Sequence, residues 1–457
     1  MRMLLATIAA VIVTSNIVHA ETLPEAMGKG LLKSDQLAAI QHSFIATRQN
    51  LIISNSANDL NASVNVTGSN SWTDAANKSG GFKSSATGKG TLTVSKQIFD
   101  SGEGAARMRA AELQLDSVRA RYASVEQSVL LNIVTAYLDL ITSRETVAIS
   151  RANLQRLEAQ TDAARIRLEA GTSTPTNLAQ AESRLARAKS NLIQAQSDEL
   201  VAEETYQSLV GAVPAELQVP LMPANLPATI LEAEDIALNF HPDILSALAA
   251  ERAAVAQFDV LENAVKPKVK LNLSAGLTEI TDSKMDKQEV TASIVFTSPI
   301  LVTDGTIAKS RETAAKHNQA KSDSAESRRR VALGARSAFQ NYVASAAQLD
   351  AVAAELQAAN LVLEGTKSEV EFGLKTFLDE LDAESAVNDA LLRQVQTRQA
   401  VLQSAYRLKN ALGQLTAEEF SLEMAGMGLE GLVDPETPYG DPFSFFTDLS
   451  ERLSFGE

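Results

Sequence analysis

The residues best placed for chemistry are three charged groups beside a Gly-x-x-Thr turn: Lys375, Asp379 and Asp382. Asp379 and Asp382 stand three apart, the spacing that puts two side chains on one face of a helix. Carboxylates so placed attract cations, and crowding several such pairs together would sharpen that preference. The same acids equally suit the solvated first turn of a helix, where the dipole favours negative charge. Covalent chemistry finds no comparable group. The chain has no Cys, which removes disulfides, zinc-thiolate sites and cysteine nucleophiles. His19, His42, His241 and His317 show no metal-ligand spacing, and no Ser-His-Asp pattern appears. Gly102-Glu-Gly104 is a lone glycine pair without a phosphate-loop lysine. The reading is therefore of no enzyme, no metal and no cofactor.

The elements around these residues follow from the rest of the chain. Arg2, an apolar run over residues 3–18 and Val18-His19-Ala20 form a secretory signal, with cleavage expected before Glu21. Beyond it lies no apolar run of the ~20 residues that a spanning helix needs. Any membrane passage must then use strands. Hydrophobic content is 45% but aromatics are only 5%, and the excess is largely Ala, which suits long, closely packed helices. With 41 basic against 56 acidic residues the net charge is −15, which argues against nucleic acid as a partner.

The chain is duplicated. Gly171-Thr-Ser-Thr-Pro-Thr-Asn-Leu-Ala-Gln-Ala-Glu182 matches Gly373-Leu-Lys-Thr-Phe-Leu-Asp-Glu-Leu-Asp-Ala-Glu384 at an offset of 202 residues. The same offset pairs Val129 with Val331, Tyr137 with Phe339 and Gly211 with Gly413. Nearer each start the offset is 207, pairing Leu37 with Ile244 and Val64 with Leu271. The extra five residues of the first copy are assigned to the Ser/Asn/Gly-rich stretch 69–90, read as an exposed loop.

Each copy holds a helix (34–55; 234–265), a β-hairpin (60–98; 268–298), a long helix (102–170; 305–372) and a return helix (176–211; 376–413). A Pro-rich linker, 212–233, separates the first repeat, 21–211, from the second, 234–413, and 414–457 is read as an equatorial segment and flexible tail. Period-two alternation marks the strands. Leu115, Val118, Tyr122, Val125 and Val129, and Tyr342, Ala346, Leu349, Ala353, Leu356 and Leu363, mark packing seams of the long helices. At ~1.5 Å per residue those helices reach ~100 Å, a length no compact domain needs and a periplasm-crossing tunnel does. Val64, Val66, Leu271, Leu273, Ile294 and Phe296 are expected to meet membrane lipid, with Asn65, Asn272 and Ser293 facing a lumen. Four strands cannot close a barrel, which begins at about eight, so several copies must combine. Sequence physics leaves two, three or four copies open.

Taken together, the paired tip turns with their Ala-Glu ends, the Phe99-Asp100-Ser-Gly102 junction and the element order resemble the TolC family of outer-membrane efflux proteins over nearly the whole chain. The resemblance implies a mainly α protein with a membrane β-barrel portion. Three copies would form a twelve-stranded barrel in the outer membrane, with helices extending into the periplasm. It implies a passive exit duct for a tripartite efflux pump or type I secretion system. The partners would be a periplasmic adaptor and an inner-membrane ABC, RND or MFS transporter. It further implies an entrance ring of Asp379 and Asp382, a tethering role for Lys375, and adaptor docking at the turns carrying Gly171, Thr174, Gly373 and Thr376. In the first copy Asn177 stands where Asp379 stands in the second, so an acidic gate would be asymmetric. A periplasmic coiled-coil adaptor protein is the alternative reading. Adaptors, however, carry one helical hairpin and lipoyl-like domains, not a whole-chain duplication.

Overall fold

The computed structural model describes residues 20–73, 83–214, 216–280, 287–301, 303–420 and residue 429. The signal over residues 1–19 and the tail beyond residue 420, residue 429 apart, lie outside the described residues. The elements run α1 (Leu23–Lys33), α2 (Asp35–Asn55), β1 (Asn61–Thr73), β2 (Lys83–Phe99), α3 (Glu103–Glu169) and α4 (Pro175–Val210). The second copy follows with α5 (Ile230–Phe240), α6 (Pro242–Ala264), β3 (Lys268–Ile280), β4 (Lys287–Thr297), α7 (Asp304–Glu371) and α8 (Phe377–Ala411). A single 3-10 turn, Ser56–Asn58, precedes β1. No helix among the described residues is long and apolar enough to cross a membrane.

Three expectations need correction. The helix expected over 234–265 is two helices, broken at His241, whose backbone is extended (φ −69°, ψ 127°) ahead of Pro242. Proline carries no N–H and forces its predecessor out of the helical region. The first copy breaks at the equivalent Ser34 (φ −67°, ψ 109°), leaving α1 ahead of α2. Thr22 opens α1 through a capping box with Glu25. The loop expected over 69–90 is mostly strand. Ser69 pairs with Thr87, Asn70 with Ala86 and Trp72 with Ser84. Ladder bonds come from the backbone and do not need apolar side chains. Only residues 74–82 of that stretch lie outside the described residues. The linker also gives up its last residues to α5, which begins at Ile230.

By its internal contacts the described chain divides into two compact units, residues 20–37 with Val125–His241 and 332–420, and Ala38–Ser124 with Pro242–Val331. The first unit is helical. Its core gathers Met27 and Leu31 of α1, Leu130, Ile133 and Tyr137 of α3, and Leu408, Leu412 and Leu415 at the end of α8. A Cβ on Gly30 would run into Ile133 and the Leu209 carbonyl, so glycine lets α1 close down here. Ala181, Ala188 and Ala195, spaced by sevens, are buried along α4. Small side chains permit that close approach, which explains the Ala-rich composition.

The second unit holds the sheet, ordered β1-β2-β3-β4 and antiparallel throughout. The β2–β3 pairing joins the hairpins of the two copies, and its register shifts between Gln97 and Phe99, near the end of β2. The outer edges of β1 and β4 have no strand beside them within the described chain.

Candidate functional site

The tip turns lie in the first unit. Helix α3 ends where Gly171 takes φ +74°, and α7 ends where Gly373 takes φ +72°. That conformation costs an L residue ~1–2 kcal/mol and costs glycine little. In each turn backbone N–H groups fold back on the helix just ended. Gly171 N donates to Leu168 O and Thr172 N to Arg167 O; Gly373 N donates to Val370 O and Leu374 N to Glu369 O. The last helical carbonyls thus keep partners.

Threonines then open the return helices. Thr174 Oγ1 accepts from Asn177 N, with Pro175 as the first helical residue. Thr376 does more, because position 379 is acidic. Its Oγ1 accepts from Asp379 N at 3.3 Å, while Asp379 Oδ2 accepts from Thr376 N at 2.8 Å and Thr376 Oγ1 at 2.7 Å. This closed capping box holds the Asp379 carboxyl below the usual carboxylate range, through the Thr376 hydroxyl first and its N–H second. The acid that the sequence proposed for an entrance therefore also caps α8.

Asp382 lies one turn further along the same face and accepts from Arg184 of α4, which also donates to Leu381 O at 3.1 Å. Lys375 is held inside its own turn, with Nζ 2.7 Å from Glu369 Oε2. That bond is the main cause lifting its ammonium above the ordinary lysine value, and Asp379 adds to it. The structure thus brings Asp379, Asp382 and Lys375 to one end of α8 and gives each a partner in its own chain. Sequence reasoning passed over Glu384. This nearly buried side chain accepts from Gln160 of α3 and pairs with Lys367 of α7 at 3.2 Å, so it ties three helices together. Arg167 lies over the Phe377 ring at 5.1 Å, which sets the two tip turns side by side. The signal was available as a carboxylate among bases, but nothing in the sequence tells a buried helix face from a wet one.

In the second unit the register sorts the sheet by face, because directly paired residues share a side. Val64 pairs with Leu92 and Leu92 with Ala275; Leu271 pairs with Ile294 and Val269 with Phe296. Val64, Val66, Leu271, Leu273, Ile294 and Phe296 therefore lie on one face, joined by Leu92, Leu277 and Val290. All are exposed, Val66 by 79%. Charged residues on this face, Lys96 and Glu279, stand near the strand ends. The opposite face carries Asn65, Thr91, Asn272 and Ser293 and is mainly polar, with Val295 near the end of β4 the apolar exception among these strands' described side chains. Among the described residues no group of His, Cys, Asp or Glu is arranged to hold a metal ion.

A family model described as outer membrane efflux protein matches residues 28–212 and 235–414, both repeats without the linker between them. The chain belongs to that family. This outer membrane efflux protein is a passive channel component rather than an enzyme, and it sits in the outer membrane and reaches into the periplasm. BepC of Brucella suis, named an outer membrane efflux protein, is 30% identical over 74% of this chain and 75% of its own. AprF of Pseudomonas aeruginosa, named an alkaline protease secretion protein, is 24% identical over 76% and 73%. The Campylobacter jejuni CmeC outer membrane channel shares the fold at a TM-score of 0.75 and 17% identity, covering 88% of this chain and 90% of that one. The family match sets aside the adaptor alternative. In the efflux protein the face that sequence alternation marked as apolar is a band of exposed apolar side chains with its charges toward the strand ends.

Proposed function

We propose that three copies of this efflux protein form one exit duct, passive in itself, through which an inner-membrane machine discharges cargo. The observation that carries the reading is the sheet: four strands, two open edges, one exposed apolar face and one polar face. In lipid an unpaired strand edge leaves backbone groups unsatisfied at several kcal/mol each, so the edges must meet copies of themselves. Three sheets give twelve strands, within the range of closed membrane barrels. The apolar face then meets lipid and the polar face lines the lumen.

The tip turns form the periplasmic end, where Gly171, Thr174, Gly373 and Thr376 shape a surface for a periplasmic adaptor. Asp379 and Asp382, repeated by each copy, ring the entrance and favour cations, with Lys375 fixing the turn that presents them. The adaptor links the duct to an ABC, RND or MFS transporter. BepC and AprF bear efflux and protease-secretion names, and both uses fit this duct. Purified protein in planar bilayers is expected to give stepwise ion conductance. Absence of conductance from a preparation with intact sheet content would reject the duct. Deleting the gene and comparing exported proteins with drug sensitivity separates the cargoes.

A further inference from the structure

The sheet of the second unit sorts its charges by face, and the sorting runs against the charge of the chain. Directly paired residues share a side, so Thr67, Lys89, Thr278 and Lys287 form one row across the four strands. Asn65, Thr91, Gly276 and Glu289 form the next. Lys268 and Lys270, at the start of β3, stand on the same face, opposite Thr297 and Val295 of β4. Among the described side chains this mainly polar face therefore holds Lys89, Lys268, Lys270 and Lys287 against Glu289 alone. The apolar face carries one charge of each sign, Lys96 and Glu279, while the whole chain has a net charge of −15. Avoidance of lipid explains why charge collects on the polar face. It does not explain why the sign is positive.

Two of these lysines are compensated by their own chain and two are not. Lys268 pairs with Glu103 at the start of α3, which also takes Arg107. Lys287 Nζ lies 3.1 Å from Glu289 Oε2. Lys89 and Lys270 are exposed, and neither makes a hydrogen bond or ion pair among the described residues. Thr278, level with Lys89, comes eight residues after Lys270 on β3, which is ~27 Å along the strand at ~3.4 Å per residue. One free ammonium thus stands toward the hairpin end of the sheet and the other beside its junction with the helices. The groups between them are mostly neutral amides and hydroxyls.

Repeated by each copy around a closed barrel, every such residue becomes a ring at one height. Low-dielectric walls focus the field of the charges that line a channel, and basic rings select anions as acidic rings select cations. Such a ring acts over ~8 Å of solution at physiological ionic strength. We infer that the barrel lumen is an anion-preferring filter, set by Lys89 toward the outer end and Lys270 toward the inner end and damped by Glu289. It favours cargo bearing carboxylate or phosphate groups. The inference rests on the duct reading, which makes the polar face a lumen, and it gives the exit a sign opposite to that of the Asp379–Asp382 entrance.

The test is block of single channels by tripolyphosphate added on the hairpin side, in ~0.1 M salt, where charge acts over ~10 Å. Lys89→Gln with Lys270→Gln is expected to raise the concentration for half block about tenfold, and Glu289→Gln to lower it about threefold. Lys96→Gln, on the other face of the strand that carries Lys89, leaves it unchanged. Conducting channels whose block ignores the two lysines, or weakens equally in Lys96→Gln, overturn the filter while the duct stands. A wild-type preparation with intact strands that conducts nothing overturns duct and filter together. A second measurement leaves every lysine in place. The chain has no cysteine, so Thr91→Cys sets a single thiol two residues from Lys89 on the same face. Relative to their rates on a free thiol, an anionic methanethiosulfonate should modify it about threefold faster than a cationic one. The reverse order overturns the filter.

Discussion

Replacing Asp100 tests how the sheet is fastened to the first long helix. Its carboxylate accepts from Gly102 N at 2.9 Å, Gly104 N at 2.7 Å and Asn58 Nδ2 at 2.8 Å, so one side chain caps α3 and pins the turn ahead of β1. Burial pushes the acid's pKa up, but the bonds from Asn58, Gly104 and Gly102 outweigh it and leave it lowered. Losing a cap of this kind costs ~0.5–2 kcal/mol, and the Asn58 bond adds about 1 kcal/mol. Asp100→Ala is therefore expected to ease local opening by about 2 kcal/mol, on the order of 30-fold. Asp100→Asn, which keeps acceptors but loses charge, should ease it by about 1 kcal/mol, roughly fivefold. Hydrogen exchange of peptides covering 100–107 reads this directly. The second junction is the internal control, since α7 is capped by the neutral Thr303, whose Oγ1 accepts from Thr306 N at 3.3 Å. Because the folded pKa of Asp100 lies below its unfolded value of about 4, its contribution is complete above that pH and fades as pH falls below it. Acid loosens the first junction more than the second, whose capping side chain, Thr303, does not titrate. A change under twofold in Asp100→Ala, or equal loosening at both junctions, would refute the reasoning.

Other outcomes follow from the same structure. Gly373→Ala places an L side chain at φ +72° with nothing within 4 Å of the new Cβ, so it should destabilise by about 1 kcal/mol. Gly334→Ala, in open space within α7, should stabilise by a similar amount, and opposite shifts in thermal midpoint check both. Asp379→Asn with Asp382→Asn should weaken block of bilayer conductance by multivalent cations on the periplasmic side by about tenfold, ~1.4 kcal/mol; unchanged block removes both from the entrance. Lys409 is 2% exposed and pairs with Glu419 at 2.7 Å. Glu419→Gln removes the counter-charge and leaves that cation amide acceptors only, Gln414 Oε1 at 3.4 Å among them, so it should cost ~1–3 kcal/mol, read as early release of residues 413–420 in limited proteolysis.

Much of the architecture was legible because duplication checks each element against its copy. The long helices follow from heptad spacing without proline, and their ends from Gly171 and Gly373. The sheet faces follow from strict alternation at Val64–Val66 and Leu271–Leu273. What escaped were features set by backbone pairing and tertiary burial. Strand pairing ran on through Ser69–Thr73 and Lys83–Gly90, where composition says loop. The break before Pro242 was written in the sequence, yet apolar spacing runs straight across it. At the tip the position of Asp379 was readable. Its closure with Thr376 depends on side-chain rotamers, and Arg184, which meets Asp382, and Gln160, which meets Glu384, sit on helices far away in sequence. The seam residues Tyr342, Leu349 and Leu356 are only half covered, and Ala353 is exposed, which heptad spacing alone does not foretell.

Native mass spectrometry of particles extracted from the outer membrane tests most directly whether one chain is incomplete. Three copies per particle, stable in detergent and retaining strand content, is the predicted result. A lone chain that stays in aqueous solution with all four strands paired would contradict it.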